Sequence, residues 1–414
     1  MKNLAARFRL ALSLTLAHGA AAQDGSWLPL PPLPTPISNN AVTSVDHGDG
    51  TFTLYSFMGI RPPASGAASA TLDSYRLDWP GGVWTQIASA PADTRGRAKI
   101  AASAVTVAGQ VYLIGGYSIG RAEITEKRLF RYEPETDSYN QLAPVPFEVD
   151  DTVPAVYQDR YIYLISGWHG PINDNTTRVQ VYDTQTDTWQ QATPIPGPFD
   201  GLFGHAGGIS GSTLLYTGGS VSNGGFTISD RVFRGEIDAS DPLVIAWQEL
   251  PAHPGLPTYR DAGSLGATPG GSILIAGGTD NPYNFSGTGY NGQPSHPLRQ
   301  LLAYHAPRGR WVTLNVGPPR TSTMDHRNLA PLAGGWALVG GMTGPAQATA
   351  ECWLLTLEPC RADLNDDGLT DEADFQLWLQ AFQTRSPEAD QNADGSVTPA
   401  DFSAFAAGAR RGCI

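Results

Sequence analysis

The chain has 414 residues, 41% of them hydrophobic and 16% charged, with 14 Phe, 15 Tyr and 10 Trp. So few charges beside so many aromatics exclude a disordered protein and a coiled coil. Acidic residues outnumber basic ones 39 to 26, and only Lys2, Lys99 and Lys127 are lysines, so no nucleic-acid partner is expected.

The N-terminus places Lys2, Arg7 and Arg9 before the apolar run Leu10–Ala17, followed by small residues through Ala22. This predicts a secretory signal over residues 1–22, cut near Ala22. The apolar run is too short for a bilayer needing ~20 residues, so no membrane span is expected after cleavage. Cys360 and Cys413 bracket a compositionally distinct tail, and in an exported protein the pair reads as a disulfide. Cys352, left over on a strand pattern, reads as a small buried hydrophobe.

From residue 26 the chain repeats itself. One signature is an apolar run ending in glycine: Leu54–Gly59, Val111–Gly116, Tyr163–Gly167, Leu214–Gly219, Ile273–Gly278 and Ala337–Gly341. A second is an aromatic opening a short strand near proline, at Trp27, Trp84, Tyr139, Trp189, Trp247 and Trp311. Between them lies a third strand carrying an aromatic, as in Leu129–Tyr132 and Val179–Tyr182. Each repeat is then a four-stranded antiparallel unit.

Residues 26–359 divide into six units of about 56 residues, near the ~50 of kelch repeats. The chain resembles kelch proteins over about four-fifths of its length, through glycine pairs followed by spaced aromatics. That resemblance implies an all-β, six-bladed kelch β-propeller over residues 23–359. Trp27 precedes the first glycine signature, and no aromatic fourth strand follows Cys352–Leu355. The N-terminal strand is therefore expected to close the ring by completing the sixth blade.

In such a unit, the loop leading into the first strand and the loop joining the second to the third emerge on one face, around the channel mouth. The leading loops supply Arg97, Asp150, Asp151, His205, Arg260, Asp261, Asp325, His326 and Arg327. The other loops supply Trp168, His169, Ser220, Asp280 and Tyr283. Polar groups interspersed with aromatics suit a glycan or a protein ligand. The alternative is that leading-loop Arg and Asp pairs tie adjacent units together. Thr279–His296 forms an insertion too long for a turn, expected to be a lid or specificity loop, or else an ornament packed on the rim by Tyr283, Phe285 and Tyr290.

The six-bladed kelch architecture also resembles bacterial N-acetylneuraminate epimerases, which use a Glu and an Arg from the loop after a glycine signature. Here Thr217–Arg231 keeps Arg231 but has Ser220 at the acid position. An enzyme of this class would draw on Arg97, Arg260, Asp261, His326 and Arg327. Galactose oxidase shares the propeller motif with seven blades and a copper site. No copper is expected here, because Cys352 is the one propeller cysteine and its strand is an outer one.

Beyond Cys360, two segments match each other 27 residues apart, Asp363–Phe375 and Asp390–Phe402. Each has oxygen-bearing residues at the spacing of a Ca²⁺ loop, with glycine at position six. Ligands would be Asp363, Asn365, Asp367, Leu369, Asp371 and Asp374 in the first, and Asp390, Asn392, Asp394, Ser396, Thr398 and Asp401 in the second. Two calcium ions are expected. Asp at position twelve, with Phe375, Trp378, Leu379 and Phe382 at helical spacing, resembles a type I dockerin. That resemblance implies a small α-helical calcium-loop domain over residues 360–414, docking to a cohesin-like or cell-surface partner. Thr370 departs from the apolar residue usual at position eight. A 50-residue loop closed by Cys360 and Cys413 would add roughly 4 kcal/mol to so small a module. The expectation is a secreted binding or scaffold protein, with a carbohydrate-active enzyme of sialic acid mutarotase type as the alternative.

Overall fold

The computed structural model describes residues 22–120, 123–197, 201–222, 225–317, 319–358, 360–365 and 370–411. The expected signal segment, apart from Ala22, therefore lies outside the described residues.

The chain is mostly β, with two short helices at its C-terminal end. Alternating apolar residues flanked by Gly, Asp and Thr turns make short strands, and these pair in sequence as antiparallel sheets. The first sheet joins Ala41–Asp46, Phe52–Ile60, Ala70–Trp79 and Thr85–Ile87. The second joins Ile100–Val107, Gln110–Ser118, Leu129–Glu133 and Ser138–Leu142. The third joins Val153–Tyr157, Tyr161–Ile165, Val179–Asp183 and Thr188–Ala192. The fourth runs from Ala206–Ser210 to Ile245–Leu250, and the fifth from Ala262–Ser264 to Arg310–Asn315.

Asn328–Leu332, Gly335–Val339 and Cys352–Leu357 form the next sheet. Its outer edge is taken by the N-terminal strand Ala22–Leu30, with Gly25 opposite Leu357 and Leu30 opposite Cys352. Ala22–Asp24 also run parallel to Thr313–Asn315 of the fifth sheet.

Apolar side chains fill the space between consecutive sheets. Tyr55, Phe57, Leu113 and Tyr132 pack the first against the second, and Tyr112, Ile162, Leu164 and Tyr182 the second against the third. Leu54, Leu77, Ala337 and Leu354 pack the last against the first. The fourth-strand aromatics reach across the same gaps: the indole N–H of Trp84 donates to Pro31 O (2.8 Å), Trp189 to Ala143 O (2.8 Å) and Trp247 to Thr193 O (3.0 Å). Each ring thus buries apolar area while its polar edge is satisfied in the neighbouring unit.

The glycine signatures have a specific cause. Gly340 has φ +65°, and a Cβ there would lie 2.5 Å from Ile37 O. Gly341 N–H donates to that same carbonyl at 2.9 Å. Gly219 N–H makes the corresponding bond to Thr258 O at 2.6 Å. The end of each second strand is pressed against the loop leading into the next unit, where a side chain would collide.

Among the described residues no helix is long and apolar enough to cross a membrane. Cys352 is buried as expected, and burial pushes its thiol up to about 12.

Candidate functional site

A residue in the left-handed region stands at or just before the start of each unit's first strand: Asn39 (φ 58°), Ala101 (59°), Asp151 (51°), Gly204 (61°), Arg260 (52°) and Asp325 (68°). Hydrogen bonds join these loops in succession. Asn39 N–H donates to Asp325 O at 2.9 Å, Gly204 N–H to Asp151 O at 3.0 Å and Arg260 N–H to Gly204 O at 2.7 Å. Ala101 N–H donates to the Asn39 side-chain oxygen at 2.7 Å, and His326 N–H to Arg260 O at 3.1 Å. These bonds hold the backbone in a conformation that non-glycine residues otherwise avoid.

The twist aims three charged side chains at one another. Arg260 Nη2 donates to Asp151 Oδ2 at 2.7 Å, and Arg260 Nη1 reaches Asp325 Oδ1 at 3.2 Å. Arg327 pairs with the other oxygen of Asp151, and its Nε donates to Asn39 Oδ1 at 3.1 Å. Ser38 Oγ and Asn39 Nδ2 donate to the Asp325 carboxylate at 2.8 and 3.0 Å. The Arg260 and Asp151 side chains are 1% and 3% exposed, so the pairing offsets a large desolvation cost. Burial opposes the charge of Asp151, but Arg260 and Arg327 outweigh it and hold its carboxyl below the usual range. Burial, reinforced by Asp151, pushes the adjacent Asp150 well above that range, while Thr125 Oγ1 donates to it at 2.9 Å. Two consecutive carboxyls are thus pushed in opposite directions by burial and by the guanidinium groups.

The other leading-loop candidates are placed differently. His205 is buried with Nε2 3.0 Å from Ile165 O of the preceding unit, and burial pulls its imidazole down to about 4. Asp261 accepts from Thr258 Oγ1 at 2.7 Å, and burial raises it to about 7. His326 lies 2.8 Å from Thr323 Oγ1, and burial followed by Arg327 lowers it to about 3. His205 thus braces the seam to the preceding unit, while Asp261 and His326 are held within their own leading loops. Arg97 pairs with Asp93 at 2.8 Å on the rim, and Asp280 is exposed. Arg231 pairs with Glu249 at 2.7 Å and Ser220 is buried, so neither joins the central cluster.

Above the cluster lies an aromatic group. Trp168 packs on Phe203 and Phe226 with centroids 5.4 and 5.7 Å away, while Phe203 meets Tyr259 at 5.6 Å and Tyr259 meets Tyr283 at 5.5 Å. His169 turns aside to Glu148 O at 2.7 Å. The insertion crosses this face. Asn284 O accepts from Arg260 Nη1, and its side chain accepts from Tyr117 Oη and donates to Glu123, each at 2.8 Å. Asn39, Glu123 and Asn284 were not read from the sequence as site residues. Asn39 had a signal, since it occupies the first unit's counterpart of Asp325. Glu123 and Asn284 had none, because their partners lie in distant units.

In the tail, α1 (Glu372–Thr384) and α2 (Pro399–Arg411) enclose Trp378 and Phe405, each 2% exposed. The loops before them fold alike. Asp374 Oδ1 accepts from Leu364 and Asn365 N–H, and Asp401 Oδ1 from Gln391 and Asn392 N–H. The other oxygen of each accepts from Asp371 N–H at 2.9 Å and Thr398 N–H at 2.7 Å. Asp390 accepts from Asp394 and Gly395 N–H, with Gly395 at φ +81°. The donor set is all oxygen and fits Ca²⁺ in chemistry, although among the described residues no three His, Cys, Asp or Glu side chains converge as a metal cluster. Asp363 begins the first loop, while Asp367, Leu369 and Cys413 lie outside the described residues. Thr370 donates to Ala409 O at 3.1 Å and accepts from Arg308 of the fifth unit at 3.3 Å, which gives its hydroxyl a use at position eight.

A kelch motif model matches residues 153–196, the third sheet. Kelch-like protein 26 of Danio rerio is 32% identical over 71 residues, 17% of this chain and 12% of that protein. Kelch-like protein terF of Aspergillus terreus is 24% identical over 328 residues, 72% of this chain and 63% of that protein. The chain spans less than two thirds of the length of these curated relatives. The solved structure of YjhT superposes with a TM-score of 0.61 at 17% identity, covering 80% of this chain and 99% of that one. The chain therefore carries a kelch motif and has the fold of a kelch β-propeller.

Proposed function

We propose that the chain is an exported six-bladed propeller, residues 23–359, closed by its N-terminal strand, whose loop face binds a glycan or protein ligand. The observation that carries the binding reading is the aromatic group of Trp168, Phe226 and Tyr290 beside the buried Arg260–Asp151–Arg327 cluster. Stacking surface next to fixed hydrogen-bonding groups is what a sugar ring requires. The six-bladed, closed arrangement is supported by the succession of loop hydrogen bonds from Asn39 to Asp325 and by the pairing of Gly25–Leu30 with Cys352–Leu357. Export rests on the Lys2–Ala22 pattern, and the Cys360–Cys413 disulfide suits that compartment.

Residues 360–414 would form a dockerin-like domain. Asp390, Asn392, Asp394, Ser396, Thr398 and Asp401 would hold one calcium ion, with the equivalent positions from Asp363 to Asp374 holding another. Calcium would supply a hard cation that draws each loop's oxygens together and fixes the helix that follows. The partner would be cohesin-like or a cell-surface component.

A mutarotase-like enzyme is the second reading, favoured by the consecutive carboxyls Asp150 and Asp151, whose proton affinities are pushed in opposite directions. Proton NMR of the mature protein with reducing sugars separates the two. Line broadening without faster anomeric exchange is the expected result. Accelerated exchange would make the protein an enzyme, and silence on both would remove the glycan ligand.

A further inference from the structure

The insertion Thr279–His296 does not pack on its own unit alone. Phe285 enters the apolar group of Ile60, Ile100 and Tyr117 from the first two units. Tyr290 stacks on Phe226 of the fourth at 3.9 Å, and Ser286 O accepts from Ala346 N–H of the sixth at 2.8 Å. A strap with contacts on the first, second, fourth and sixth units covers what lies between them.

What lies there is a set of groups that the strap satisfies with its own polar atoms. Asn284 O takes a guanidinium N–H of Arg260, and the Asn284 carboxamide fills the donor of Tyr117 and the acceptor of Glu123. One atom beneath stays unsatisfied, the buried Arg260 Nε. A buried donor without an acceptor is costly, so the closed arrangement is not the one that best satisfies this cluster.

We propose that residues 279–296 are a lid held shut by Asn284, and that a neutral, hydroxyl-bearing ligand opens it by taking over the three partners of Asn284. This rests on the ligand-binding reading above. Neutrality follows from the charges present: Arg260 and Arg327 are already balanced by Asp151 and Asp325, so an anionic ligand would add a charge with nothing to offset it. Hydroxyls both donate and accept, which suits one donor from Tyr117, one from Arg260 and one acceptor on Glu123. Gly287, Gly289 and Gly292 supply the backbone freedom to swing.

Hydrogen exchange read by mass spectrometry on the full chain tests the lid without any ligand. In Asn284→Ala, segment 281–292 should exchange at least tenfold faster than wild type while Tyr161–Ile165 is unchanged. Tyr290→Ala, altering a half-exposed ring, should raise exchange in the same segment by a smaller factor. Unchanged exchange there in either variant overturns the lid. Should Asn284→Ala loosen the whole chain, Tyr290→Ala alone decides. Lactose and glucuronate are then titrated by NMR into wild type and the loosened variant. Tighter binding of lactose to the variant, by threefold or more, supports displacement of Asn284. Preference for glucuronate overturns the neutral-ligand assignment. Failure of both sugars removes the glycan reading and leaves the lid to the exchange result.

Discussion

Arg260 of the fifth unit donates to Asp151 of the third at 2.7 Å, while Arg327 of the sixth pairs with the other oxygen of the same carboxylate. One side chain thereby joins three units through the channel mouth. Removing it leaves the buried Arg327 side chain without its carboxylate and Arg260 with Asp325 alone. Asp151→Ala should destabilise the propeller by about 3–5 kcal/mol in urea unfolding, and Asp151→Ala with Arg260→Met should recover part of that loss. A single-variant cost below ~1 kcal/mol would show that the cluster is solvated rather than buried.

Gly340 and Gly334 differ only in their surroundings. Both have positive φ, +65° and +75°, but a Cβ on Gly340 meets Ile37 O at 2.5 Å whereas one on Gly334 meets nothing within 4 Å. Gly334→Ala should cost about 1–2 kcal/mol from backbone strain alone. Gly340→Ala should cost more, by roughly 1–3 kcal/mol, because the loop of the first unit has to retreat. Equal losses in parallel denaturation curves would remove the contact as the reason for the glycine.

The buried Asp261 makes stability depend on pH. Its carboxyl is raised from 3.8 to about 7, so between these values the folded state binds a proton that the unfolded chain has lost. Its contribution is fully present below ~4 and is lost as pH rises toward 7. Asp261→Asn removes that dependence, so its stability relative to wild type should rise with pH by at most about 1.4 kcal/mol per unit across this window. Urea midpoints at pH 5, 6 and 7 measure the trend, and a difference that stays flat would place the carboxyl in water.

Calcium removal should act on the tail alone. With chelator, helices α1 and α2 should lose protease resistance beyond residue 360 while the sheets keep theirs. Asp401→Ala should mimic the chelator in the second loop, because Asp401 also holds Gln391, Asn392 and Thr398 N–H. Protection that ignores both treatments would mean that the loops fold on hydrogen bonds without metal.

Read alone, the sequence determined the repeat, the strand content and the equivalence of the two tail loops. Those features are local: an apolar run ending in glycine, an aromatic near proline and an Asp at position twelve each work through neighbours a few residues away. It also named the charged residues of the mouth, because Asp151, Arg260 and Asp325 sit at the same point of the repeat and Arg327 two residues after it. The tertiary structure decided which of them meet. His205, Asp261 and His326 occupy one position in their units, one residue after the left-handed twist. There His205 turns to Ile165 O of the preceding unit and Asp261 and His326 to Thr258 and Thr323 of their own loops, while the charged residues beside them face one another. Asn284 and Glu123, 161 residues apart, acquire a role only when the strap crosses the face. Periodicity locates a residue within its own unit, but contacts across the channel depend on how the units are arranged around it, and no spacing along the chain encodes that.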